Sequence, residues 1–169
     1  MKLPGMLAVI CAFLAIGIDR LKSIREKIEC TETLISGLTV LRSELAARLC
    51  PLRELLCAAA ATAGGEAAAF FRLAADSLDK PGEEAFSERW IALCRSALPE
   101  LAELPRGELE KLGQSLGRFD LDDQLAACDR TLSFLTSYQK EAARRFPEQR
   151  RLTLTVCGSA ACFLCLLIL

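Results

Sequence analysis

The chain is 169 residues long and 52% hydrophobic, carries 21 Lys and Arg against 22 Asp and Glu, and contains no histidine. The missing histidine excludes His-dependent catalytic triads, His proton shuttles and His metal sites. The length allows one domain with accessories, and the apolar content, with a mean hydropathy of +0.29, is high for a purely soluble chain of this size, which places part of it in lipid.

Residues 3–18 and 152–169, at the two ends, carry no charged side chain. A bilayer core takes about 20 apolar residues, with a range of roughly 17 to 25. The C-terminal segment meets the lower limit. The N-terminal one falls slightly short, a deficit that snorkelling by Lys2 and Arg20 or local thinning of the bilayer can offset. Ala8 with Ala12, and Gly158 with Cys162, have the small-residue spacing that lets helices approach closely in lipid, or are plain apolar filler. Lys2, the apolar run and the small Ala15 and Gly17 also fit a cleaved secretory signal loosely. The charges favour two retained anchors. Arg20, Lys22, Arg25 and Lys27 follow the first segment, and Lys140, Arg144, Arg145, Arg150 and Arg151 precede the second. The positive-inside rule then puts both collars, and residues 19–151 with them, in the cytoplasm.

The nine cysteines, an odd number without framework spacing, agree with a reducing compartment. Cys11, Cys157, Cys162 and Cys165 fall in the apolar ends. Cys162 and Cys165 form a CxxC pair that reads either as a dithiol switch or as two small hydrophobes in a membrane helix. The second reading is favoured, because a thiolate is unstable in hydrocarbon and no cation is near. The other five read as core filler.

Between the ends, residues 28–139 hold 11 Lys and Arg against 18 Asp and Glu, a net of −7. That balance argues against a nucleic-acid surface. It fits a solvated domain and a basic partner surface, although for any single residue solvation of a helix exterior is the simpler account. The apolar pattern is helical almost throughout. Ile24, Ile28, Ile35, Leu38, Leu41, Leu45 and Leu49 recur every three or four residues with no breaker between Asp19 and Pro51, so the first apolar segment is predicted to continue into the body as one long helix. Pro51 suits the first turn of an alanine-rich helix ended by Gly64 and Gly65. Residues 66–78 restart a helix with Phe70, Phe71, Leu73 and Leu78 available for burial. After Pro81 and Gly82, a helix from Glu83 carries Phe86, Trp90, Ile91, Leu93 and Cys94 and stops before Pro99, with Leu101 and Leu104 in a short connector.

Leu109, Leu112 and Leu116 form the next stripe, and Gly117 stands where it stops, as a left-handed helix cap would. Asp120 fits the N-cap of the following helix, with Asp122 and Asp123 favoured in its first turn by the helix dipole. Gly113, inside the helix, costs about 1 kcal/mol relative to alanine and is explained by another helix crossing close to that face. The three aspartates could instead hold a divalent cation, but capping accounts for them without a metal. A last helix from Leu121 carries Leu125, Cys128, Leu132, Leu135 and Tyr138 as far as Pro147, which either starts a separate membrane helix or kinks a continuous one. The expected fold is all-α: a compact antiparallel helical bundle over residues 19–151, flanked by N- and C-terminal transmembrane helices at 3–18 and 152–169.

The order of these features resembles the stage III sporulation protein AB family. It runs from an N-terminal membrane helix through "SEL" before "CPLREL", "FSERW" and "LGQSLGRFDLDDQ" to an apolar tail. The most specific elements are Leu112, Gly113, Leu116, Gly117, Asp120 and Gln124, then Pro51, Leu52 and Glu54. The resemblance implies a cell-membrane protein of endospore-forming bacteria, on the mother-cell side in the outer forespore membrane. It would belong to the channel complex linking mother cell and forespore. Its cytoplasmic part would be similar to the inner-membrane platform domains of type II secretion and type IV pilus machines. The implied partners are the secretion-type ATPase of the complex, its other membrane components and membrane lipid, with no nucleic acid and no small-molecule substrate. The tail "VCGSAACFLCLLIL" departs from the family's glycine- and leucine-rich ending.

Residue chemistry also points to a platform rather than a catalyst. The chain has no phosphate-cradling glycine loop and no serine or cysteine with an evident base, so no catalytic residue, cofactor or metal is expected. Gln124 and Glu54 are the expected partner-facing residues, beside the motif positions Gly113, Gly117 and Asp120. The rival from another class is a membrane-anchored thiol sensor or small membrane enzyme using Cys162 and Cys165. A coiled-coil organiser would need heptads that Pro51, Gly64, Gly65, Pro81 and Pro99 interrupt.

Overall fold

A computed structural model describes residues 3–47, 50–79, 85–117 and 120–168, with side chains inside the helices described outside 3–14, 149, 154, 157 and 160–168. The described residues form six helices: α1 (Leu3–Ala47), α2 (Leu52–Thr62), α3 (Gly65–Leu78), α4 (Phe86–Ser96), α5 (Glu103–Ser115) and α6 (Leu121–Ile168). The chain divides into two compact units. Residues 27–140 form one, and residues 1–26 with 141–169 form the other, so that α1 and α6 contribute to both.

The larger unit is built on α1's buried face. Leu34, Leu38, Leu41 and Leu45 fill it with Cys30, while Ile24, Ile28 and Ile35 of the expected stripe are only half-buried and Leu49 lies outside the described residues. Thr31 can share this face because its hydroxyl donates to the Lys27 carbonyl at 2.8 Å, leaving no unsatisfied group. On α2, Leu55, Leu56, Ala59 and Ala60 are buried, and the small alanines let α3 approach. Arg53 near the start of α2 pairs with Asp79 just past the end of α3 at 2.7 Å, which makes the two an antiparallel hairpin around Ala63 and Gly64.

Phe70 and Phe71 of α3 are buried as expected, but Leu73, expected in the core, is 46% exposed. Helix α3 packs on α4 and α4 on α5. Helix α5 begins at Glu103, so Leu104 belongs to it and not to the connector, and faces outward. Pro105 sits in the first turn, where its missing N–H would have had no intrahelical partner. The connector is held from α5 by Arg106, whose Nη2 donates to the carbonyls of Leu98, Pro99 and Leu101 at 3.2, 3.3 and 2.7 Å. Helix α6 closes the unit through Ala127, Cys128, Thr131 and Leu135, and its Asp129 takes a two-pronged bond from Arg42 of α1 at 2.9 and 3.2 Å.

The smaller unit carries local pairs, Lys22 with Glu26 at 3.6 Å and Arg145 with Glu141 at 2.6 Å. Ile16, Ile18, Leu152 and Val156 are each about 60% exposed. Helix α6 continues through Pro147 instead of ending there, so of the two expected outcomes at that proline the continuous helix is the one found. Among the described residues no helix is long and apolar enough to cross a membrane. Most side chains of the expected anchors at 3–18 and 152–169 lie outside the described residues.

Candidate functional site

Gly113 lies inside α5, and Gly117 follows two residues past its end. Gly113 is buried, and a Cβ there would stand 2.7 Å from the indole Nε1 of Trp90 and closer still to its ring carbons. The close approach expected from the sequence is therefore made by a side chain from α4, not by a helix backbone. Trp90 is fully buried, packs edge-on against Phe70 at a centroid distance of 4.7 Å, and donates from Nε1 to the Leu109 carbonyl at 2.7 Å. Only a residue without a side chain fits beneath it. In the same "FSERW" stretch, an Arg89 Nη donates to the Ser77 carbonyl and so caps the last turn of α3.

Gly117 follows Leu116, whose N–H closes α5 on the Leu112 carbonyl at 3.1 Å. Its φ of 75° is the left-handed conformation expected of the cap. The Gly117 N–H then donates to Gln124 Oε1 at 3.2 Å. Asp120 accepts from the Leu121 N–H at 2.8 Å, and Gln124 N–H donates to the Asp120 carbonyl at 3.1 Å. Asp120 thus caps α6 through its first amide, with Asp122 and Asp123 in the opening turn. Gln124, expected to face a partner without structural duty, instead ties the end of α5 to the start of α6, and the expectation is corrected on that point. Glu54 is exposed in the first turn of α2, whose dipole favours it.

Gly117 and Gln124 line a cleft of about 440 Å³, and Glu54 and Asp120 do not. Leu45 of α1 lines it, with Cys50 and Pro51 of the connector, Leu52 and Leu55 of α2, Gly117, and Leu121 and Gln124 of α6. The "PLRE" and "LGQSLG" stretches, distant in the sequence, therefore share one surface. Gly113 does not line it.

Three thiols of the larger unit are buried and hold their protons. Burial pushes Cys30 up to about 12, with Glu66 adding to the effect, and pushes Cys128 up to about 11, with Asp129 adding to it. Cys94 is raised further, by burial first and then by Glu110. Cys57 is exposed and Cys50 half-buried, so two of the five cysteines expected to fill the core do not. Cys162 and Cys165 lie outside the described side chains. Among the described residues no cluster of acids or cysteines is arranged to hold a metal ion.

The fold defines a class of protein: an all-helical body with a motif-lined cleft, joined by its first and last helices to two apolar ends. The profile of the stage III sporulation protein AB family matches residues 2–169, and the chain belongs to that family, which gives it a role in sporulation. A solved structure described as Stage III sporulation protein AB (SpoIIIAB) superimposes with a TM-score of 0.63 at 20% identity, covering 72% of this chain and 96% of that one. At that identity the likeness supports the fold. No curated protein matches the chain.

Arg106 and the Arg42–Asp129 pair were invisible to periodicity, which marks apolar faces and not long cations. Trp90 was visible only as an apolar residue, although a lone tryptophan and a helical glycine in one body are a pair worth matching.

Proposed function

We propose that the chain is a membrane platform without catalytic activity: an antiparallel bundle carried by transmembrane helices at 3–18 and 152–169. The bundle lies in the mother-cell cytoplasm and docks the secretion-type ATPase of a channel complex in the outer forespore membrane. The observation that carries this is the continuity of α1 and α6. Each is a single helix containing a stretch of the core, a basic collar and an apolar end. Two collars of one sign at the bases of two apolar ends fit a body held on the positive-inside face. The exposed Ile16, Ile18, Leu152 and Val156 fit lipid contact. Family membership supports the sporulation setting.

Cys57 is the reporter for topology, since it is exposed while Cys94 at mid-chain is buried and would be silent on either side. In a variant whose other cysteines are replaced, Cys57 should resist a membrane-impermeant maleimide in intact cells and react after lysis. Reaction before lysis rejects the orientation. The full chain in lipid nanodiscs should retain the purified ATPase where empty nanodiscs do not, and no retention rejects the docking.

A further inference from the structure

Helix α1 runs unbroken through a stretch that its own residues disfavour. Between Thr31 and Ser43 five hydroxyls turn back onto the helix. Thr31 donates to the Lys27 carbonyl at 2.8 Å, Thr33 to that of Cys30 at 3.0 Å, Ser36 to Glu32 at 3.1 Å, Thr39 to Ile35 at 2.7 Å and Ser43 to Val40 at 2.9 Å. These carbonyls already serve the helix ladder, and back-bonding of this kind weakens and bends a helix. Gly37 lies in the middle of the stretch, and Thr33, Ile35, Thr39 and Val40 are β-branched, all poorer helix formers than alanine. No charged side chain stands between Glu32 and Arg42, so no ion pair one turn apart braces it, as Lys22 and Glu26 at 3.6 Å brace an earlier part of the helix. Solubility does not require this pattern. Ser36, Thr39 and Ser43 are exposed, and Glu, Lys or Gln would serve as well there and hold the helix better.

What keeps the stretch helical is its buried face. Leu34, Leu38 and Leu41 are fully buried, and a Cβ on Gly37 would run into the Phe71 ring and stand 3.0 Å from the Ala63 Cβ, so α1 rests on the α2–α3 hairpin at that point. At the far edge Arg42 holds Asp129 of α6. A helix that its sequence disfavours and its contacts enforce is a conflict between levels, and such conflicts gather at functional sites. We propose that residues 31–43 of α1 form a compliant joint, pivoting where Gly37 meets Phe71, that the protein needs for its part in sporulation. The joint opens by local fluctuation while the rest of the body stays folded. Residues 44–47, the end of α1 beyond it, thereby move against the helix before it. The joint goes beyond the docking reading and does not depend on it.

Hydrogen exchange on the full chain in nanodiscs, with spore counts from cells carrying the same variants, tests it. Amides of residues 36–43 should exchange about tenfold or more faster than those of residues 70–75 on α3, although Leu38 and Leu41 are as buried as Phe70 and Phe71. The triple variant Ser36→Ala, Thr39→Ala, Ser43→Ala replaces three back-bonded residues by the best helix former. It should slow the α1 amides about tenfold, raise the melting temperature and lower spore formation by a similar factor. Ser36→Asn, Thr39→Asn, Ser43→Asn removes the same hydroxyls but keeps the helix weak, and should exchange and sporulate like wild type. Equal exchange on α1 and α3 in the wild type, or normal spore formation by the alanine variant, overturns the joint. So does an equal loss of spores in both variants, which would trace the effect to the hydroxyl surface and not to compliance. None of these readings uses ATPase binding, so the joint and the docking reading fail separately.

Discussion

Gly113 inside α5 and Gly117 two residues past its end stand one turn apart and do opposite work. The first is buried and is glycine because Trp90 occupies the space a side chain would need. The second is exposed at φ 75° and is glycine because of its own backbone. At it the chain turns to set Leu121 and Gln124 beside Leu52. One glycine belongs to a junction that fixes α3, α4 and α5 together, and the other to a cleft that opens outward. A repeated letter in a motif is thus no sign of a repeated role, and what separates the two is what touches the missing Cβ.

The largest expected effect breaks the junction. Gly113→Ala should destabilise by about 1 to 3 kcal/mol, because overpacking against an immobile indole outweighs the roughly 1 kcal/mol that alanine gains in a helix. The change should become nearly neutral or stabilising on a Trp90→Ala background, where the space is open. A double-mutant cycle of melting curves checks this, and additive costs would show that the indole is not the obstacle.

Gly117→Ala should cost less, about 1 to 2 kcal/mol, and for a different reason. Leu52 stands at an ordinary 3.5 Å from a Cβ there, so the cost is that of a left-handed backbone. It should be unaffected by Trp90→Ala. Coupling between the two would merge regions kept apart here.

Gln124→Ala should be smaller again, about 0.5 to 1 kcal/mol, the worth of one partly exposed hydrogen bond to the Gly117 N–H. Amide exchange at Gly117 should quicken in the variant, and an unchanged rate would count against the bond.

The thiols give the mildest contrast. At pH 8, Cys57 and Cys50 should alkylate in the native protein, while Cys30, Cys94 and Cys128 react only on unfolding. Folded pKa values of about 12 for Cys30 and about 11 for Cys128 lie above a thiol's ordinary 9.0. The folded state therefore holds these protons longer. Their contribution to stability is complete below pH 9 and fades as pH rises toward 11 and 12. Melting followed from pH 8 to 11 should show the decline, and replacing both cysteines by alanine should reduce it.

Much of this was legible in the sequence because it is local. Helix existence follows from spacing, Gly117 from the end of a leucine stripe, and Asp120 from its place before Leu121. What was not legible depends on who meets whom. Periodicity does not decide between adjacent Leu34 and Ile35, and the partner helices chose Leu34. Leu104 reads as part of the connector after Pro99, whereas the next helix already starts at Glu103, since Pro105 is tolerated in a first turn. Gln124 looked free because the N–H it binds comes from before a chain reversal. The cleft needs residues of three separate stretches, and only the family pattern hinted that "PLRE" and "LGQSLG" belong together.

The central claim is that Gly113 serves the junction that builds the body while Glu54 belongs to the exposed surface proposed to dock the ATPase, and one paired measurement tests it. Gly113→Ala and Glu54→Ala, each in the full chain in nanodiscs, are melted and titrated with the ATPase, with binding expressed per folded molecule. The account predicts that Gly113→Ala melts lower and binds as wild type. Glu54→Ala should melt within about 0.5 kcal/mol of wild type, as exposed positions do, and bind more weakly. Normal binding by Glu54→Ala together with weakened binding per folded molecule by Gly113→Ala would contradict it.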